Sequence, residues 1–453
     1  MMKKMLALLL AMIMLTVCLP VSAQENDNDL AIRYATDLMS GEKNEELYAM
    51  FTDAFKAQVP EAAFSAIWGQ MEAAFGAFVG FGESVTKEDA GYTVHELVLD
   101  MERQDLLLRL AIDSNGMVAG LGIVPAPATS TAATPAADEI TLPEQLVQEE
   151  VTVGQGEWAL PGIMTLPKGG SSLPAVVLVH GSGAGNWDEE VGQTKMFRDL
   201  AWMLAEKGIA SIRYDKRTLT HGAKFTADMV SSLTVREETI IDAILAGNVL
   251  KADPRIDSTK IYVAGHSLGA MLGPRIAKES EGLFAGMVLM NGSPLQLTDI
   301  ILTQNMDLLA KQTEEVRNAQ QPLVDAEVEK LNGIDALTDE QLKAETFFGL
   351  PGYYVKDMRS FDAAAIMKEL KLPVFILQGG ADFQVNLSNG WEAWEKAVGS
   401  EAYVTRKLYP ELNHLLMKYT GDPAYQYSLQ EYDTPARMDE TAAADIAAWI
   451  LAQ

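Results

Sequence analysis

The sequence predicts an α/β fold: an open, mostly parallel sheet with helices on both faces, preceded by a small α+β unit. Three observations predict it. From about residue 142 onward, short apolar runs of strand length alternate with amphipathic segments of helix length. Before that, helical patterns come first and strand-like runs follow. Between the two, residues 126–141 hold prolines and small residues without periodicity, the composition of a solvated linker.

The chain has 453 residues, enough for two or three domains. It opens on Met-Met-Lys-Lys, an apolar run from Met5 to about Pro20, and Val21-Ser22-Ala23. A basic start, a short apolar core and small residues before a cut are the parts of a secretory signal, so residues 1–23 are expected to be removed and the protein exported. Two readings compete. One is a retained membrane anchor, for which the apolar run is short. The other is a lipid anchor on Cys18, against which the bulky Val17 counts. No later stretch is apolar for long enough to span a bilayer, so no stable span is expected after signal removal.

Residues 27–125 read as the small α+β unit. Helical spacing of apolar residues covers 30–39, 44–59 and 61–78, with Pro60 separating the last two. Strands are expected at 80–86, 92–101, 105–112 and 117–124. Glu88-Asp89-Ala90-Gly91 and Asp113-Ser114-Asn115-Gly116 supply turns between them. His95 is read as a strand residue facing water.

The second unit, 142–453, starts with strands at 149–153 and 158–166. The run 175–180 is almost wholly apolar and suits a parallel strand buried on both faces. A helix at 195–207 closes on Gly208, and a strand follows at 210–214. Next come a helix at 237–251, a strand at 260–264, a helix at 268–278 and a strand at 285–290. Further strands are expected at 373–377 and 402–408, and a last helix at 438–452. Residues 295–370 break the alternation. They are charged and helical in pattern, so an insertion over one end of the sheet is expected.

Composition excludes several functions. Cys18 is the only cysteine, and it lies within the expected signal. The mature protein therefore uses no disulfide, cysteine nucleophile or cysteine metal site. The net charge is −28, and −30 without Lys3 and Lys4. Such an acidic surface repels nucleic-acid phosphates and anionic lipid. No cofactor and no metal are called for by any motif in the chain.

The residues that carry chemistry lie at the ends of predicted strands. The strand at 260–264 runs into Gly265-His266-Ser267-Leu268-Gly269, and a helical pattern follows. A serine on so tight a strand–turn–helix junction needs small neighbours, and its hydroxyl then points out at the C-terminal edge of the sheet. Serine needs a base. Of the five histidines, His414 follows the last predicted strand on a loop at the same edge. His266 adjoins the serine and should point elsewhere, and His221 lies in a polar loop. The base needs an acid to fix its tautomer. Asp382 follows the strand at 373–377 after Gly379-Gly380-Ala381, whereas Asp362 ends the insertion and Asp445 sits in a helix. Finally, His180-Gly181-Ser182-Gly183-Ala184-Gly185 closes the strand at 175–179. Its backbone amides can turn inward, and the Ser182 and Leu268 N–H groups are the expected oxyanion donors. No Lys-Ser/Thr follows to make this a phosphate loop.

With these residues in place the sequence resembles the α/β-hydrolase family over about 142–453. Four motifs in order carry the resemblance: His180-Gly181-Ser182-Gly183, Gly265-His266-Ser267-Leu268-Gly269, Gly380-Ala381-Asp382-Phe383-Gln384-Val385, and Asn413-His414. The run Arg213-Tyr214-Asp215-Lys216-Arg217 resembles the secreted carboxylesterase branch, which is close to the serine aminopeptidase-like and dienelactone hydrolases. The resemblance implies that 295–370 is a helical cap. It also implies a Ser267–Asp382–His414 triad, in the chain order this family uses. A serine in place of cysteine disfavours dienelactone hydrolysis. Thr218 and Leu219 depart from the family's small residues, so no role is carried to that loop. The first unit faintly resembles the NTF2-like α+β domains that precede some exported hydrolases.

The expected reaction is hydrolysis of a small-molecule carboxylic ester through an acyl-enzyme. Peptide or amide cleavage by the same residues is the nearest alternative. A hydrolase scaffold that only binds would lack a triad member, and none is missing.

Overall fold

The computed structural model describes residues 28–125, apart from 42, 53–54, 57–63, 65–66, 90–91, 103–104 and 114, and residues 141–453 apart from 311–313. The expected signal and all but the last residue of the expected linker lie outside the described residues. The chain divides into two compact units. Residues 28–125 belong to the first, 141–308 and 324–453 to the second, and the described part of 309–323 is grouped with the first.

In the first unit, α1 (Asn28–Ser40), α2 (Asn44–Ala49) and α3 (Ile67–Phe75) precede four antiparallel strands. These are β1 (Phe78–Asp89), β2 (Tyr92–Met101), β3 (Leu106–Ile112) and β4 (Val118–Pro125), paired in chain order. Ala31, Tyr34, Ala35 and Leu38 repeat at three- and four-residue spacing along α1. They share a core with Leu97, Leu99, Leu106, Leu108 and Leu110 from alternate positions of β2 and β3. Three expectations need correction here. The helix expected at 44–59 is interrupted after Ala49, where Phe51 is fully buried in a bridge to Val118; residues 55–56 are helical again, and 53–54 and 57–59 lie outside the described residues. Phe78 opens β1 rather than closing a helix. His95 is buried, with Nδ1 3.0 Å from Thr86 Oγ1, because alternation along β2 puts it on the same face as the core residues Leu97 and Leu99.

The second unit is built on an eight-stranded sheet. Its strands are β5 (Leu146–Val153), β6 (Leu160–Pro167), β7 (Leu173–Val179), β8 (Ala210–Tyr214), β9 (Ile256–His266), β10 (Gly286–Met290), β11 (Val374–Gly379) and β12 (Val404–Tyr409). The order across the sheet is β12-β11-β10-β9-β7-β8-β6-β5. Only β6 runs antiparallel to its neighbours; the other pairings are parallel. The buried run of β7 divides its side chains between two cores. Ala175, Val177 and Val179 enter one with α5 (Ile241–Ala252) and α6 (Leu268–Glu279). Val176 and Leu178 enter the other with α4 (Met196–Glu206) and the last helix (Glu440–Leu451). Helices on both faces follow directly from a strand that is apolar on both sides.

Two details differ from expectation. Trp158 lies in a 3-10 turn (Gly156–Trp158), and its strand starts at Leu160. The segment 295–370 is not a single insertion. Helices Leu297–Ala310 and Glu314–Asn332, a two-stranded ribbon and helix Gly352–Arg359 form its helical body. Its last helix, Ala363–Leu370, packs on α6 and sends Ala363 and Met367 into the sheet's core. That helix is the crossover from β10 to β11, because two parallel neighbours need one. Among the described residues no helix is long and apolar enough to cross a membrane.

Candidate active site

β9 carries the chain to His266, and α6 begins at Leu268. Ser267 between them has φ 53° and ψ −115°, a conformation that L-residues adopt only when their surroundings impose it. Its amide donates to Met290 O at 2.9 Å, and its carbonyl accepts from the Ala270 and Met271 amides at 3.0 and 3.1 Å. The two flanking glycines are obligatory. A Cβ on Gly265 would lie 2.1 Å from Gly269 O, and one on Gly269 would lie 2.2 Å from Val179 O. The second approach also presses the start of α6 against the end of β7, where the glycine loop begins. A Cβ at Gly181 would come within 3.2 Å of Ser267 Cβ, so that loop runs beside the serine.

Asp382 lies just past β11 and is buried. Its Oδ1 accepts from the Gln384 and Val385 amides, both at 2.9 Å. Its Oδ2 accepts from Gln378 Nε2 at 3.2 Å and from His414 Nδ1 at 2.8 Å. A carboxylate only accepts, so His414 donates from Nδ1 and keeps the lone pair on Nε2. Gly379 permits the meeting, since a Cβ there would lie 2.4 Å from Leu412 O in the histidine loop. The competing aspartates are used elsewhere. Asp362 caps helix Ala363–Leu370, and Asp445 binds Lys407 and Tyr409.

The remaining histidines are also placed. His221 Nε2 donates to Ala159 O at 2.9 Å, and His180 Nε2 to Tyr214 O at 2.6 Å. His266 points away from the serine's exposed side. Its Nδ1 is 3.0 Å from Glu189 Oε1, its Nε2 is 2.8 Å from His414 O, and its ring lies 4.7 Å from that of His414. Both partners are acceptors, so the charged form of His266 can donate to each of them at once. Burial opposes that charge, but the Glu189 carboxylate and the hydrogen bonds outweigh burial and raise the His266 pKa.

In the glycine loop, the Gly181 amide donates to Glu189 Oε1 at 2.6 Å. The next amide, Ser182, has no protein acceptor among the described residues. Leu268 is the first residue of α6, where an amide has no partner within the helix. These two N–H groups therefore remain available for an anion.

Four supporting residues were given no role in the sequence reading, although Lys216 stands in the run 213–217 noted there. Glu189 holds Gly181 and His266 together. Asn291, just past β10, donates to Asn413 O and His414 O at 3.1 and 2.5 Å, and its Oδ1 accepts from the Gly379 amide at 2.7 Å. It thereby stitches the loops of Asp382 and His414 to the strand beside Ser267. Lys216 and Glu238 form a buried ion pair at 2.9 Å. The available signals were Asn291 straight after an apolar strand and Lys216 within the run Arg213-Tyr214-Asp215-Lys216-Arg217.

This sheet, with a strained serine between strand and helix and a carboxylate-held imidazole at the same edge, defines an α/β-hydrolase. The chain belongs to the family described as serine aminopeptidase, S33, which it matches over residues 171–420. Residues 35–121 match a family described as a protein of unknown function, DUF3887. Esterase EstD of Thermotoga maritima is 31% identical over 417 residues, covering 91% of this chain and 93% of that protein. Solved structures that match part of the chain include an esterase of Pyrococcus furiosus, at 16% identity and a TM-score of 0.41 over 68% of this chain and 91% of that one. Est1E from Butyrivibrio proteoclasticus is 15% identical, with a TM-score of 0.43 over 67% of this chain and 99% of that one.

Proposed function

We propose that the protein is an exported serine carboxylesterase acting through Ser267, His414 and Asp382. The observation that carries this reading is the 2.8 Å contact between His414 Nδ1 and the buried Asp382 carboxylate, at the sheet edge where Ser267 emerges. The likeness to an esterase along nearly the whole chain supports the ester as substrate class.

In the first half-reaction, His414 Nε2 takes the Ser267 hydroxyl proton while Oγ bonds to the ester carbonyl carbon. The carbonyl oxygen becomes an oxyanion held by the Ser182 and Leu268 amides, each worth about 3 kcal/mol to the transition state. Collapse breaks the bond to the leaving alcohol, which takes the proton from His414. Water then attacks the acyl-enzyme by the same route in reverse, giving the acid and free serine. Asp382 holds the imidazole in the required tautomer throughout. No cofactor or metal enters these steps.

Ser267→Ala should reduce turnover of a short p-nitrophenyl ester to background and abolish labelling by a fluorophosphonate probe. Unchanged turnover would sink the assignment. The family's description favours a second reading, cleavage of an aminoacyl amide by the same residues. Paired p-nitrophenyl esters and p-nitroanilides decide between them. Export rests on the N-terminal sequence, and the secreted product should begin at Gln24 when its terminus is sequenced.

A further inference from the structure

We propose that Lys216 is a positioning residue that aims the Ser182 amide at the reacting carbonyl oxygen and is itself held in place from the helical segment by Glu238 and Tyr354. The inference rests on the reading of Ser267 as nucleophile and Ser182 as oxyanion donor.

Lys216 follows β8 and is almost wholly buried, with 2% of its side chain exposed. Its Nζ donates to Gly181 O at 2.8 Å. That oxygen and the Ser182 N–H are the two ends of one planar peptide unit, pointing in opposite directions. An ammonium fixed on the carbonyl therefore dictates where the amide proton points. It also draws electron density toward the oxygen and makes the N–H a stronger donor. The Lys216 amide holds Gly185 O at 2.8 Å, which anchors the far end of the same loop.

The ammonium is fixed in turn. Glu238, on the turn leading into α5, takes Lys216 Nζ on Oε1 at 2.9 Å. Its Oε2 accepts from Tyr354 Oη at 2.7 Å. Tyr354 lies on helix Gly352–Arg359, and burial pushes its phenol well up, so it stays a donor. A chain of three hydrogen bonds thus links that helix to the oxyanion peptide. Glu238 supplies the counter-charge that a buried lysine needs and takes one of its three N–H donors, which leaves the others to find acceptors. The bond to Gly181 O spends a strong donor on a backbone carbonyl of the site.

Removing Lys216 alone would strand the Glu238 carboxylate, so the informative variant is Lys216→Met with Glu238→Gln. Ester hydrolysis is measured together with inhibition by an aryl trifluoromethyl ketone, whose adduct on Ser267 carries a tetrahedral oxyanion. We expect kcat to fall about 10- to 100-fold, inhibitor affinity to fall by a matching factor, and KM to stay within about threefold. Activity and inhibition both within about twofold of the parent would overturn the proposal, as would lost activity with unchanged inhibition. If the double variant does not fold, Tyr354→Phe is read by the same pair of measurements. A parallel decline supports the relay, and no change in either overturns it. Ser267→Ala separates the two levels. Residual turnover there defeats the underlying assignment, whereas a dead Ser267→Ala beside an unimpaired Lys216 variant defeats only this one.

Discussion

At the scale of single residues, the charged pair behind the serine has a definite pH signature. Folding raises His266 above its ordinary value of 6.5, with burial opposing and Glu189 prevailing. Its stabilisation is complete below 6.5 and is lost as pH climbs through the raised value. Glu189 falls below its ordinary 4.5, again against burial, because His266 is beside it. Its share is present above 4.5 and is lost as pH drops through the lowered value. The pair therefore contributes fully between 4.5 and 6.5 and progressively less on either side. Glu189→Gln leaves an unpaired buried cation and should cost about 3–5 kcal/mol in urea unfolding near pH 6, with a flatter pH dependence. Ser267, Asp382 and His414, the residues of the proposed chemistry, were picked out because each lies on a loop that follows a predicted strand. Glu189 was not, because a carboxylate in Asn186-Trp187-Asp188-Glu189-Glu190 reads as solvated until β9 brings a histidine beside it.

The elements teach a similar lesson about where local signals stop. Gly265 and Gly269 could be named as obligatory from the pattern alone, and the approaches of 2.1 and 2.2 Å to backbone oxygens give the reason. Neither oxygen belongs to a side chain that can swing aside. Gly265→Ala should therefore destabilise the protein by at least about 1–3 kcal/mol, seen as a lower urea midpoint, and should slow esterolysis by displacing Ser267. The inner strands β7, β10 and β11 were easy to read because burial on both faces writes an almost uninterrupted apolar run. Element ends were harder. The helical spacing of 44–59 continues past Ala49, yet a bridge between Phe51 and Val118, far apart in sequence, takes over. The same blindness merged helix Ala363–Leu370 with the inserted segment, since an amphipathic helix looks alike whether it packs on a sheet or over it.

For the whole molecule, each residue of the proposed chemistry lies in the second compact unit. Residues 142–453 expressed alone should fold and hydrolyse a short p-nitrophenyl ester with a kcat close to that of the full chain. Loss of activity from a folded 142–453 would assign the first unit a part in the reaction. The alternation of strands and helices disclosed the topology from sequence because parallel neighbours force long crossovers. It could not disclose how the inserted segment is tied to the sheet, since contacts such as Tyr354 with Glu238 and Asp357 with Arg275 join residues 116 and 82 positions apart in the chain.

That tie bears on how such enzymes can be recombined. Inserted segments over hydrolase sheets invite exchange between relatives as a route to new substrate preferences. Here the exchanged piece would carry away the last hydroxyl in a line ending at the glycine loop. A chimera with a new segment there, but an aliphatic side chain at position 354, should bind its chosen ester and turn it over poorly. Restoring one phenol at that position is the smallest repair to try first.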